Sequence, residues 1–139
     1  MKAFDTDVLT EILLGSPSYA ERFAQVPLEE QGVPIVALEE IIRGRFNIIR
    51  QAEAGKSRIS IAQAYLLLER TLRDINDVRI LSFDQTAEHL VKDWRKNRTR
   101  GSTHDLRIAA ICVCASATLV TRNRRDFQQI PNLLLEVWD

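Results

Sequence analysis

Apolar residues in this chain alternate between two patterns: short runs rich in β-branched side chains, and longer stretches where they recur every three or four positions. The first pattern is that of buried strands and the second that of amphipathic helices. Lys2-Ala3-Phe4 predicts a first strand ending at Asp5, followed by a helix over Thr6–Leu14 that Gly15 and the Ser16-Pro17 break terminate. A second helix is predicted over 17–25, a second strand over 33–37 and a long helix over 38–54 with Leu38, Ile41, Ile42, Ile48 and Ile49 inward. Beyond a turn at Gly55-Lys56-Ser57, another helix is expected over 60–75 with Ile61, Ala64, Tyr65, Leu68 and Leu72 on one stripe. The remainder predicts a strand over 78–81, a helix over 83–95, a basic loop over 96–103 and a strongly apolar helix over 105–115. A strand over 118–120, a helical turn over 124–129 and a last strand over 133–137 complete the series.

Strands alternating with helices predict a parallel α/β sandwich. The helices at 38–54 and 60–75 form a helical hairpin larger than a minimal crossover needs. With 139 residues and no linker or repeat, a single domain spanning 1–139 is expected. No apolar stretch approaches the ~18 residues of a membrane span. The opening runs straight into a strand and leaves no room for a signal peptide, which predicts a cytoplasmic protein. Cys112 and Cys114 stand two apart on a predicted helix and diverge by roughly 200°. They are expected to be buried small hydrophobes rather than a disulfide or metal pair.

Net charge is zero, but its distribution is uneven. Residues 1–40 are rich in Asp and Glu, and residues 95–125 carry Arg95, Lys96, Arg98, Arg100, Arg107, Arg122, Arg124 and Arg125 against Asp105 alone. One part can supply acidic ligands and the other phosphate contacts. Ligands of open α/β sheets bind beyond the carboxyl ends of the strands. Asp5-Thr6-Asp7 follows the first strand, Thr121-Arg122-Asn123 the fourth, Asp105 opens the late helix and Glu40 lies near the start of the long one. Each has a plain alternative: Asp5, Asp7 or Asp105 as a helix cap, Glu40 as a first-turn carboxylate favoured by the dipole, Asp126 as a surface residue, Thr121 and Asn123 as turn formers. Gathered together, the carboxylates would repel and need a cation. An all-oxygen set points to Mg²⁺ or Mn²⁺ and to phosphoryl chemistry. His89 and His104 are expected in loop or capping roles.

Four segments resemble the PIN-domain family. These are Met1-Lys2-Ala3-Phe4-Asp5-Thr6-Asp7, Glu40-Ile41-Ile42-Arg43-Gly44, Asp105-Leu106-Arg107-Ile108-Ala109-Ala110, and Leu119-Val120-Thr121-Arg122-Asn123-Arg124-Arg125-Asp126-Phe127. Together with Ile130-Pro131-Asn132-Leu133 and Trp138 they are similar to the VapC-type toxins of toxin–antitoxin pairs across the chain. The resemblance implies a PIN-like three-layer α/β/α sandwich with a mostly parallel central sheet and a helical-hairpin insertion. It implies an Mg²⁺- or Mn²⁺-dependent endoribonuclease in which Asp5, Glu40 and Asp105 are the core acids. Glu40 is preferred to its neighbour Glu39 by the spacing to Gly44. Asp126 or Asn123 would complete the metal site, with Thr6 and Thr121 in support and Arg122, Arg98 and Arg100 on RNA phosphates. The partners implied are RNA and a cognate antitoxin. A homodimer is expected from surplus apolar residues of the hairpin, such as Ile48, Ile49, Leu66 and Leu67. The alternative is a catalytically inactive PIN-like RNA- or protein-binding module. A phospho-accepting receiver domain fits less well, because its acceptor Asp ends a strand near mid-chain.

Overall fold

A computed structural model describes all residues, 1–139. The chain opens with β1 (Lys2–Phe4), α1 (Thr6–Leu14) and α2 (Pro17–Ala24), then a 3-10 turn at Leu28–Glu30. It continues through β2 (Gln31–Pro34), α3 (Ile35–Glu53), α4 (Ile61–Asp74), β3 (Ile80–Leu81), α5 (Gln85–Lys96) and α6 (Thr103–Cys114). It ends in β4 (Thr118–Thr121), α7 (Arg124–Phe127) and β5 (Leu134–Val137). The five strands form one sheet in the order β3-β2-β1-β4-β5. Every pairing is parallel, where a mostly parallel sheet was expected. The chain builds outward from β1 to β3 on one side, then crosses back to add β4 and β5 on the other. Right-handed crossovers therefore place helices on both faces, and the β1/β4 seam becomes the switch point where such sheets hold ligands.

Local signals account for most boundaries. Gly15 ends α1 in the left-handed region at φ 74°, and its N–H reaches back to the carbonyls of Glu11 and Ile12. Ser60 starts α4 with a reciprocal capping box to Gln63. The second strand departs from expectation. It occupies Gln31–Pro34, and the long helix begins at Ile35 rather than three residues later. Gln31 and Gly32 pair with β1 while Val33 and Pro34 pair with β3. The β-branched Ile35-Val36 then winds into the first helical turn, because a helix there buries Val36, Ala37, Leu38 and Ile41. Burial outweighs a propensity difference of a few tenths of a kcal/mol.

The core runs from Ala3, Phe4 and Leu119 of the sheet to Val8, Leu106, Ile108, Ile111 and Phe127 of the helices. Phe4 meets Phe23 edge-on at 5.2 Å and Trp138 at 5.7 Å, and the Tyr19 hydroxyl donates to the Trp138 carbonyl at 3.2 Å. These contacts tie the last residues to α2. The helical hairpin is present, but only part of the expected α4 stripe faces inward: Ala64 is buried and Leu68 half-buried. Thr71 is buried beside them, whereas Ile61, Tyr65 and Leu72 are exposed. The Thr71 hydroxyl donates to the Leu67 carbonyl and accepts from Arg45 Nε at 2.8 Å, so this polar residue is satisfied in the hairpin seam. Of the apolar residues thought surplus, Ile49 is buried, Ile48 and Leu67 are partly covered, and Leu66 alone is 62% exposed. Cys112 is buried as expected, but Cys114 at the helix end is exposed. No helix is long and apolar enough to cross a membrane.

Candidate active site

Asp5 leaves β1 and caps α1 in the same residue. Its backbone is extended at φ −68°, ψ 161°, and Thr6 N–H donates to its Oδ1 at 2.8 Å. Oδ2 accepts from the Thr121 hydroxyl at 2.7 Å, which locks the carboxylate across the β1/β4 seam. Thr121 Oγ1 in turn accepts from Asn123 N–H at 3.1 Å. Capping and site membership are thus compatible roles for Asp5. Its carboxyl is pushed up to about 7. Burial is the main cause, followed by the charge of Asp7 and, more weakly, Asp105, against the lowering hydrogen bonds from Thr121 and Thr6.

Asp105 is not the cap of its helix. α6 begins two residues earlier than expected, at Thr103, and Ser102 caps it by accepting the Asp105 N–H at 3.1 Å. The Asp105 carboxyl is therefore free of that duty, and it too is raised. Burial is the largest cause; the hydrogen bond to Ser102 opposes it, while the charges of Asp126, Glu40 and Asp7 add to it. Glu40 stands in the second turn of α3 because that helix starts early, so a first-turn dipole role does not apply. Asn123 Nδ2 donates to Asp126 Oδ2 at 2.8 Å, tying together the two candidates for the fourth position. The Thr6 hydroxyl oxygen is buried without a partner.

Thr121 touches Asp5 directly, and the acids are near enough to act on one another by charge: Asp7 and Asp105 on Asp5, and Asp126, Glu40 and Asp7 on Asp105. As they stand, however, no three His, Cys, Asp or Glu side chains converge tightly enough to hold one ion. The chemistry of the donor set still suits a hard divalent cation: oxygen ligands, two carboxyls raised by burial and neighbouring acids, and an orphaned hydroxyl beside one of them. The Cys112 thiol, close enough to feel Asp5, is pushed far up, chiefly by burial, and stays neutral.

Three residues carry roles beyond those assigned from the sequence. Asp7 is the strongest charge acting on Asp5. His104, expected to be a loop or capping residue, lies in the first turn of α6 with Nδ1 3.4 Å from Glu40 and Nε2 3.5 Å from Glu39. Ser102 was legible as the start of Ser-x-x-Asp before an apolar run, and Asp7 stood in the Asp5-Thr6-Asp7 segment at the strand end; the place of His104 depends on tertiary packing.

The expected phosphate-binding arginines divide. Arg122 is held by Glu11 at 3.2 Å and stacks over the Tyr19 ring at 5.7 Å, which turns it toward α1 and α2. Arg98 and Arg100 are exposed in the loop before α6. Gln129 Nε2 donates to the carbonyls of Arg100 and Asp126, at 2.7 and 3.0 Å, and so fixes that loop beside the acidic edge. A cleft of about 950 Å³ extends from Glu40, Asp105 and His104 along α3 to Arg50.

No protein-family profile matches the chain. Over 36 residues it is 53% identical to the ribonuclease VapC2 of Rickettsia felis, a match that spans 26% of this chain and 27% of that protein. The fold compares far more widely. A chain of the VapBC2 structure from Rickettsia felis, bound to promoter DNA, superposes with a TM-score of 0.74 at 21% identity, covering 99% of this chain and 98% of that one. A chain of FitAcB from Neisseria gonorrhoeae gives a TM-score of 0.75 at 19% identity, with 97% and 96% covered.

Proposed function

We propose that this chain, whose fold is that of the VapC-type PIN domains, is an Mg²⁺- or Mn²⁺-dependent endoribonuclease, the toxin of a cytoplasmic toxin–antitoxin pair. The observation that supports it most is the buried Asp5 carboxylate, fixed by Thr121 and Thr6 and facing Asp7 and Asp105. A protein has little reason to gather like charges around a buried carboxylate at a ligand-binding edge unless a cation offsets them. Asp5, Glu40 and Asp105 would hold the ion, with Asp126 or Asn123. When bound, such an ion neutralises phosphate charge and lowers the pKa of a coordinated water.

The chain's own residues do the rest. Thr121 and the Thr6 N–H orient Asp5, and Ser102 fixes the turn that presents Asp105. Arg98 and Arg100 lie where they can bind phosphates flanking the scissile bond; Arg122, engaged by Glu11, is better suited to holding α1 against β4. Single-stranded or looped RNA suits an edge of this kind, since splayed nucleotides can enter a cleft that a duplex cannot. An antitoxin that covers the edge follows from the toxin reading.

One observation favours the alternative of an inactive binding module: the acids do not close around a single point. Cleavage of a fluorogenic RNA with Mn²⁺ or Mg²⁺, abolished by EDTA, supports the nuclease. RNA binding without cleavage at any metal concentration would support the module instead.

A further inference from the structure

Beyond Glu40 and Asp105, the cleft beside the acids has a floor and walls that the chemistry above does not use. Glu40, Arg43, Gly44, Asn47 and Arg50 fall at spacings of three and four along α3 and so share one face. They span roughly 15 Å at 1.5 Å per residue. Gly44 is the unusual member. Glycine is among the poorest residues for a helix interior, and here it sits mid-helix with helical neighbours on both sides. Nothing in the fold demands it: a Cβ built at Gly44 meets no heavy atom within 4 Å. The space it leaves opens into the cleft. A helix-breaking residue facing empty cleft is explained if something approaches that backbone closely.

The lining indicates what. Only Ile42 and Phe46 are apolar among the residues around the cleft, which suits an amphipathic helix poorly. Phe46 is 47% exposed and offers a flat ring. Arg50 is exposed and forms no ion pair, and Arg43 is engaged by Glu39 alone in an exposed pair that contributes little. Away from the acids the cleft thus turns cationic and aromatic, the combination that tracks a single strand by phosphate charge and base stacking.

We propose that the groove along α3, floored by Gly44 and carrying Arg43, Phe46, Asn47 and Arg50, is the path by which a single-stranded RNA runs away from the acidic edge. The inference rests on the nuclease reading and specifies its substrate subsite. Gly44 admits the strand's backbone, Phe46 stacks a base, and Arg50 takes a phosphate.

The test uses a fluorescein-labelled oligouridine, followed by anisotropy in EDTA and by cleavage in Mn²⁺. Gly44→Ala, Phe46→Ala and Arg50→Gln should each weaken binding about tenfold, the scale of one lost stacking or phosphate contact. In cleavage the loss should fall on KM, with kcat retained. Gly44→Ala should also melt higher than the wild type, a combination that damage to the fold cannot produce. Arg50→Gln should lower the slope of log affinity against log salt by about one. If wild type cleaves while all three variants bind and cleave like it, the groove is not the RNA path, and a protein segment becomes its better occupant. If wild type neither binds nor cleaves RNA, the nuclease reading itself fails and this inference with it.

Discussion

Asp5 carries two structural duties and an electrostatic cost. Its carboxyl caps α1 and accepts from Thr121, yet burial and Asp7 raise it from an ordinary 3.8 to about 7. The sign of the consequence follows from linkage. Folding favours the protonated acid, so the associated stability is complete below about pH 4 and is lost as pH rises to about 7. In EDTA, Asp5→Asn should therefore melt higher than the wild type above pH 7, by on the order of 5 °C, and the gain should shrink toward pH 4. Melting curves at pH 8 and pH 4.5 check this; an Asp5→Asn gain independent of pH would show that the carboxyl is not raised. Thiol accessibility gives a second prediction at this scale. Ellman's reagent should modify Cys114 in the native protein and reach the buried Cys112 only on unfolding. Two fast-reacting thiols would mean that α6 is less well packed than described.

At the scale of elements, what could be read from the sequence depended on whether the signal was local. The β1–α1 boundary was legible because Asp5 caps and Gly15 terminates, both within the segment itself. The β2–α3 boundary was not, because Ile35 and Val36 have strand-like side chains and only their burial as a helix decides the matter. The inward face of α4 was ambiguous because the helix is apolar on two sides; the seam with α3, marked by Arg45 and Thr71, selects one. The same division holds in the site. Asp5, Glu40, Asp105 and Asp126 were nameable from motifs and Asp7 stood beside Asp5 in the same segment, whereas the charge of Asp7 on Asp5 and the place of His104 beside Glu40 came only from tertiary placement. Ser102 supplies the test at this level. Ser102→Ala removes the α6 cap and should cost about 1 kcal/mol of stability, seen in a denaturant titration. No loss would return the capping role to Asp105.

The whole molecule is neutral, with acids at one sheet edge, Arg43 and Arg50 along the cleft beyond them and an exposed apolar face on α4. That face lies on the outer side of α4, where Ile61, Tyr65 and Leu72 share one helical stripe and are 47, 53 and 47% exposed. Contiguous exposed apolar residues mark interfaces, and a two-fold dimer can bury the same patch from both copies. A homodimer through α4 is the expected state, and Tyr65→Glu with Leu72→Glu should make it monomeric in light scattering at micromolar concentration. A wild type that is already monomeric there would contradict it.

The central claim is that the acids at the β1/β4 seam hold a catalytic cation. Asp105→Asn tests it most directly, since Ser102 rather than Asp105 caps α6 and the substitution leaves the helix start intact. Fluorogenic RNA cleavage is measured for both proteins across a Mn²⁺ titration, with a melting curve for each. The account predicts an Asp105→Asn protein as stable as the wild type or more so, with cleavage reduced by several orders of magnitude. Wild-type activity in Asp105→Asn at every Mn²⁺ concentration would contradict it.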